Sequence, residues 1–281
     1  MKKQLKDLNL LDRFLFAEAM EDPVIMQHIL EIILGRDMEL QPFLNTEKEE
    51  RVTETQRIVK LDVCAWDTEG SVYNTEVQKQ NTYNLHKRSR LYQGIIDSKL
   101  LPAGEINYNL MNDSYVIMIM PFDLFGKNRY RYTFDMRCRE DNDIVLEDGA
   151  TRIFLNTRGK DNENESPELI ALLRYFESST AEVSMQSKSK KIYEMHSRIE
   201  KIKSSEEIGV RFMQAWEEKI FDKQEARAEG LAEGRAEGRA EIILKMHTKG
   251  QSSDIIADIL DMSESEIEVI IANANQSESS E

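Results

Sequence analysis

Six consecutive apolar or aromatic residues, Tyr115-Val116-Ile117-Met118-Ile119-Met120, leave this chain little choice of architecture. A run of this length suits a β-strand. Because neighbouring side chains point to opposite faces, both faces of such a strand need an apolar cover. The run therefore predicts a central strand, with layers of other elements above and below it. Around it, alternating segments interleave with stretches of helical period, which predicts an α/β layered core.

Upstream, Leu11, Phe14 and Leu15, then Ile25, Ile29, Leu30 and Ile33, recur at helical spacing over residues 8–34. Asp22-Pro23 divides this stretch into two helices, since Asp suits an N-cap and Pro the first turn, and Gly35 closes the second. Residues 36–56 are polar and connect onward, with room for a short strand. Strands follow at Ile58–Trp66 and Val72–Gln78, then a helix from about Thr82 to Leu101. Later come a hairpin from Tyr130–Cys138 and Thr151–Leu155, a helix over Pro167–Phe176, and helical character through much of 188–221.

The 281 residues hold 40% hydrophobic side chains, enough for a packed interior, and no run of about 18 apolar residues, so no membrane span is expected. The N-terminus lacks the apolar stretch of an export signal, and Cys64 and Cys138 match no metal spacing, so a cytoplasmic protein with reduced thiols is expected. The formal net charge of −15 argues against a nucleic-acid partner only if charge is spread evenly. It is not: Lys127, Arg129, Arg131, Arg137 and Arg139 face a single Asp135 within residues 127–139, and Lys87-Arg88-Ser89-Arg90 forms a second basic cluster. On charge alone, a phosphate-binding groove and ordinary solvated faces are both open.

The strands Ile58–Trp66 and Val72–Gln78 carry the candidate chemistry. Lys60, Asp62 and Cys64 share one face of the first, and Asn74, Glu76 and Gln78 one face of the second. A three-residue loop, Thr68-Glu69-Gly70, pairs Asp67 with Ser71 and so sets Asp62 opposite Glu76 and Lys60 opposite Gln78. Directly opposed residues project to the same side, so two carboxylates point out together beside an amide and an amine. Like charges in that arrangement call for a cation. A hard divalent ion such as Mg²⁺ or Mn²⁺ suits carboxylate oxygens and activates water for attack on a phosphodiester. A merely solvated hairpin face, with Lys60 balancing the acids, is the other explanation that spacing allows.

Asp62 followed by Glu76-Val77-Gln78 resembles the D…(D/E)-x-K pattern of PD-(D/E)XK nucleases, with Gln in the third place. Lys60-Leu61-Asp62-Val63, Asn74-Thr75-Glu76-Val77-Gln78 and Arg90-Leu91-Tyr92 resemble the Rpn family of recombination-promoting nucleases and transposases. The similarity continues through Tyr115–Met120, Pro121-Phe122-Asp123-Leu124-Phe125-Gly126, Tyr132-Thr133-Phe134 and Ile153-Phe154-Leu155-Asn156-Thr157, over nearly the whole chain. The resemblance implies a restriction-endonuclease-like mixed sheet flanked by helices and metal-dependent hydrolysis of DNA, with a role in recombination, transposition or defence. It implies that Asp62, Glu76 and the backbone carbonyl of Val77 bind the ion, with Asp12 a further acid that a helix start explains equally well. Gln78 takes the place of the superfamily lysine; an amide orients water but carries no charge, so Lys60 is the expected cation. Arg88, Arg90, Lys127, Arg129 and Arg131 are the candidate DNA contacts, whereas Tyr92, spaced with Ile95 and Ile96, is expected in the core. The Gln favours one rival: an inactive protein that keeps this fold and works through its C-terminal helices.

Residues 1–180 are thus expected to form the nuclease-like core, 181–224 a helical connector, and 225–281 an association appendage making a homo-oligomer. Within Glu225–Glu241, Gly230, Gly234 and Gly238 recur every four residues. A helix with a small-residue stripe packed on a partner is expected, with a flexible linker the alternative. Three short helices follow to Ala274, the last capped by Ser263; its acidic start, Ser263-Glu264-Ser265-Glu266, points to protein rather than phosphate as partner.

Overall fold

The computed structural model describes residues 4–41, 45–50 and 59–278, with backbone alone at 45–50, 59–63 and 275–278. The chain divides into two compact units, Met1–Phe212 and Met213–Glu281.

In the first unit, six strands form one mixed sheet in the order β1-β2-β3-β4-β6-β5: β1 (Asn45–Glu50), β2 (Val59–Trp66), β3 (Val72–Val77), β4 (Ser114–Met120), β5 (Arg131–Phe134) and β6 (Ala150–Asn156). The apolar run forms β4, which lies between β3 and β6 and runs parallel to both. Its residues divide by parity as a doubly covered strand requires. Ile117 and Ile119 enter one core with Tyr73, Val77, Ile153 and Leu155, while Val116, Met118 and Met120 enter a second with Val72 and Phe154.

The first core is closed by α1 (Arg13–Met20), α2 (Pro23–Leu34), α4 (Pro167–Glu177) and α6 (Lys190–Ser204), through residues such as Phe16, Ile29, Leu173 and Ile199. Asp22 caps α2 as its sequence requires, accepting hydrogen bonds from Val24 N at 2.9 Å and Ile25 N at 3.4 Å, with Pro23 at the first helical position. Gly35, at φ 69°, ends it in the left-handed conformation open to glycine. Ile192, Met195 and Ile199 of α6 are fully buried here, so this part of the expected 181–224 connector belongs to the core. Burying each such side chain contributes roughly 1.5–3 kcal/mol, which a connector would forgo. The short α5 (Ala181–Gln186) precedes α6.

The second core is closed by α3 (Leu85–Asp97), whose Leu85, Tyr92, Ile95 and Ile96 face the sheet. This helix starts three residues later than expected, because Tyr83 takes a left-handed conformation at φ 58°.

In the second unit, α7 (Glu206–Thr248), which starts within the first unit, contains the whole Gly-rich repeat and is followed by α8 (Ser253–Leu260) and α9 (Glu264–Glu278). Ile243, Ile256, Ala257, Ile267 and Ile271 form its small core. Ser263 and Glu266 form a reciprocal cap for α9: Ser263 N donates to Glu266 Oε2 at 3.0 Å and Glu266 N to Ser263 Oγ at 3.4 Å. No helix among the described residues is long and apolar enough to cross a membrane.

Candidate active site

The β2–β3 turn fixes what faces what. Asp67 N donates to Ser71 O at 3.1 Å and Gly70 N to Asp67 O at 3.1 Å, with Gly70 at φ 91°. A side chain at Gly70 would also meet Asn112 at 2.6 Å. The buried Asp67 carboxylate locks the turn, accepting from Ser71 N at 2.8 Å, Glu69 N at 3.0 Å and the Tyr73 hydroxyl at 2.6 Å. The resulting register, Trp66 with Val72 through Val63 with Thr75, is the one the loop length predicts. Continued by one residue it sets Asp62 across from Glu76. The side chains of Asp62 and Lys60 lie outside the described residues, and with them the expected separation of the two carboxylates.

Glu76 is 2% exposed and lies on the α3 face of the sheet, in register with Met118 of β4. Its Oε1 accepts a hydrogen bond from Arg88 Nη2. Arg88 Nη1 donates in turn to Gln78 Oε1 at 3.0 Å, and Gln78 Nε2 donates to Gln80 O at 2.8 Å. The Tyr92 hydroxyl accepts from Arg88 Nε, and the guanidinium carbon lies 5.2 Å from the Tyr92 ring centroid. One arginine thus joins two of the three motif positions.

Arg88 is therefore half-buried beside Glu76 rather than on an outer basic face. The sequence holds a signal for this. Arg88 stands one helical turn before Tyr92, whose spacing to Ile95 and Ile96 turns it inward, and residues four apart share a helix face. Tyr92 is 3% exposed, as a core residue should be. Arg90, two residues from Arg88 and so on the far side of α3, is exposed.

The remaining candidates separate further. Asp12 caps α1, its Oδ1 accepting from Phe14 N at 3.2 Å, and α1 packs into the core on the other face of the sheet from Glu76. Lys127 and Arg129 are exposed on the loop after β4. Both donate backbone N–H groups, at 3.2 and 3.1 Å, to the Tyr132 hydroxyl, which donates to Asp123 Oδ1 at 2.8 Å. Burial alone would raise the Asp123 carboxyl. The bonds from Tyr132 and from the backbone of Asn128, Phe125 and Gly126 outweigh it and hold the group below its ordinary range. Arg131 is drawn away to Glu165, 3.3 Å from its Nε.

The donors fit a hard cation. Two side-chain oxygens, on Glu76 and Gln78, converge on one positive group, so the position is built to hold positive charge. Carboxylate and amide oxygens select hard divalent ions over soft ones. Among the described residues, which leave out the Asp62 side chain, no three His, Cys, Asp or Glu side chains gather as a metal cluster.

A mixed sheet with helices on both faces and an acidic residue buried beside its central strand is the frame of a PD-(D/E)XK enzyme. The chain belongs to the PD-(D/E)XK nuclease family transposases, whose family model matches residues 12–229. No curated protein and no solved structure matches it.

Proposed function

We propose that the chain is a DNA endonuclease dependent on Mg²⁺ or Mn²⁺, acting in the movement or rearrangement of DNA or in defence against it. The observation that carries this is the convergence of Glu76 and Gln78 on one guanidinium, with Glu76 one residue beyond the last paired position of β2 and β3, Val63 with Thr75. In this reading Asp62, Glu76 and the Val77 carbonyl hold the ion. What an ion so held supplies is Lewis-acid stabilisation of the phosphoryl oxygens and an acidified water. Gln78, fixed by Gln80 and Arg88, keeps an oxygen lone pair to accept a hydrogen bond from the attacking water and so aims it. Water adds at phosphorus, one P–O ester bond breaks, and the products are a phosphate monoester and a hydroxyl end. Arg88, with Lys60 as the second candidate, holds positive charge where negative charge builds. Arg90, Lys127 and Arg129 are placed to grip the DNA backbone.

The test is incubation of the purified chain with plasmid DNA in Mg²⁺ or Mn²⁺ and in chelator, beside Asp62→Ala. Metal-dependent nicking that Asp62→Ala abolishes is expected. One observation favours a second reading, an inactive interaction protein: the motif lysine is replaced by Gln78, whose amide is bonded on both sides. DNA left intact under all of these conditions would select that reading.

A further inference from the structure

A cavity of about 370 Å³ opens on the same sheet face as Glu76, on the other side of α3 from Arg88. Ala150, Arg152 and Phe154 alternate along β6 to form its floor, and Phe134 stands beside Arg152 on β5. His86 of α3 and Phe125 of the loop after β4 close the walls. The proposed metal site uses none of these residues, although Phe125, Phe134 and Phe154 fall within the stretches that resemble the family.

The rings form a connected cluster. Phe125 lies 5.3 Å from Phe154, 4.9 Å from Phe134 and 5.3 Å from His86, and Phe134 lies 5.6 Å from Phe154, all between ring centroids. Yet Phe134 remains 42% exposed, so an aromatic surface is presented to solvent rather than sealed. Arg152 lies on the floor, beside Phe134 and two residues before Phe154, and has no ion-pair partner among the described residues. Arg137 pairs with Asp135 at 2.9 Å, which leaves Arg152 and the carboxylate of Asp148 as the other charged groups of the lining.

Position relates this cavity to the acidic centre. Glu76 pairs in register with Met118, and Met118 with Phe154, so Glu76 and Phe154 stand in one row across three adjacent strands. Two strand spacings separate them by about 10 Å. The row runs beneath α3 and over the buried Met118, so a strand joining the two must pass around the helix, which sets the base a few nucleotides from a phosphate held at Glu76. Aromatic faces stack on any base, and a guanidinium donates to the acceptor atoms of base edges. The volume falls at the lower end for small-molecule sites, the right scale for one planar heterocycle.

We propose that this cavity takes one unstacked nucleobase of the strand being cut, sandwiched by Phe134 and held at its edge by Arg152. The proposal rests on the nuclease reading above. It makes the enzyme one that engages single-stranded DNA or a base turned out of the duplex.

The full-length chain, in chelator so that nothing is cut, is titrated into a labelled single-stranded oligonucleotide and followed by fluorescence anisotropy. A set of oligonucleotides carries a single abasic site at successive positions. Phe134→Ala is expected to weaken binding about tenfold or more. One abasic position should cause a similar loss with the unaltered chain and no further loss with Phe134→Ala. Phe134→Trp should retain affinity, and Arg152→Gln provides a second probe if Phe134→Ala melts early. Affinities of both variants within twofold of the unaltered chain, or a flat abasic scan, would overturn the proposal. Plasmid cleavage in Mg²⁺ combined with a flat scan removes the base pocket and keeps the nuclease. A position-specific scan without cleavage does the reverse, and neither binding nor cleavage removes both.

Discussion

The guanidinium of Arg88 reaches Glu76 and Gln78 from a helix, whereas a lysine in the third motif position would reach the same place from the strand itself. That difference changes what substitutions should do. An ammonium at position 78 would stand beside the Arg88 guanidinium, and two like charges about 4 Å apart repel by about 4 kcal/mol at an effective dielectric near 20. Gln78→Lys, which motif logic alone would expect to help, is therefore expected to lower cleavage while Arg88 is present. Arg88→Met should lower cleavage about 10²–10³-fold, the cost of losing one well-placed stabilising donor. It should also lower the melting temperature in chelator, because a buried Glu76 loses its counter-charge. Mn²⁺ should then restore more stability to this variant than to the unaltered chain. Combining Arg88→Met with Gln78→Lys should recover much of the activity. Cleavage rates and melting temperatures of the four proteins check this. An Arg88→Met protein with unaltered cleavage and an unaltered response to Mn²⁺ would reduce Arg88 to a structural ion pair.

At the scale of elements, α7 poses the sharpest physical question. Gly230, Gly234 and Gly238 lie inside a helix of 43 residues, where each costs about 0.8–1 kcal/mol relative to Ala. Among the described residues, the helix's own adjoining backbone apart, nothing lies within 4 Å of where a Cβ would stand at any of them, so no contact seen within this copy requires glycine. A period of four in a helix of 3.6 residues per turn drifts by about 40° each step, which keeps the three on one side. We propose that this side packs closely on a second copy. Replacing all three by Ala should raise helical stability, yet weaken association by holding the backbones apart. Sedimentation equilibrium reads the second effect, and an unchanged oligomeric state would sink the packing role. The helical repeat was legible in the sequence because Ala, Glu and Arg outweigh the glycines. So were the Asp22-Pro23 break, the Gly35 stop and the Ser263 cap, each resting on local chemistry. So was the β2–β3 register, which follows from loop length and parity alone. What escaped depended on distant contacts or silent backbone choices. Tyr83 gives no sign of its left-handed conformation, and α6 joins the core through Ile192, Met195 and Ile199, which read equally well as one face of a connector. The cavity beyond α3 escaped because β5, β6, α3 and the loop after β4 meet only in the folded chain.

At the scale of the molecule, a chain with net charge −15 that binds DNA must set a small basic surface against a repulsive remainder. Arg88, Arg90, Lys127 and Arg129 are the candidates for phosphate contact once Arg131 is committed to Glu165. About four contacts would give a slope of log affinity against log salt near −3.6 on duplex DNA, from the release of condensed counterions. The acidic remainder opposes this. Its repulsion of the polyanion acts over a Debye length of about 10 Å at 0.1 M salt, so added salt relieves it and flattens the slope. A slope of about −2 to −3 is therefore expected for the full chain in chelator between 50 and 200 mM salt, read by anisotropy with labelled duplex. Replacing Lys127 and Arg129 by Gln should make it shallower by nearly two, because each is exposed on the loop that the Tyr132 hydroxyl anchors. A slope unaffected by that double substitution would show that the loop does not touch the backbone. A slope steeper than about −6 would require a far larger basic surface than these four residues provide, and would move the DNA path elsewhere on the molecule.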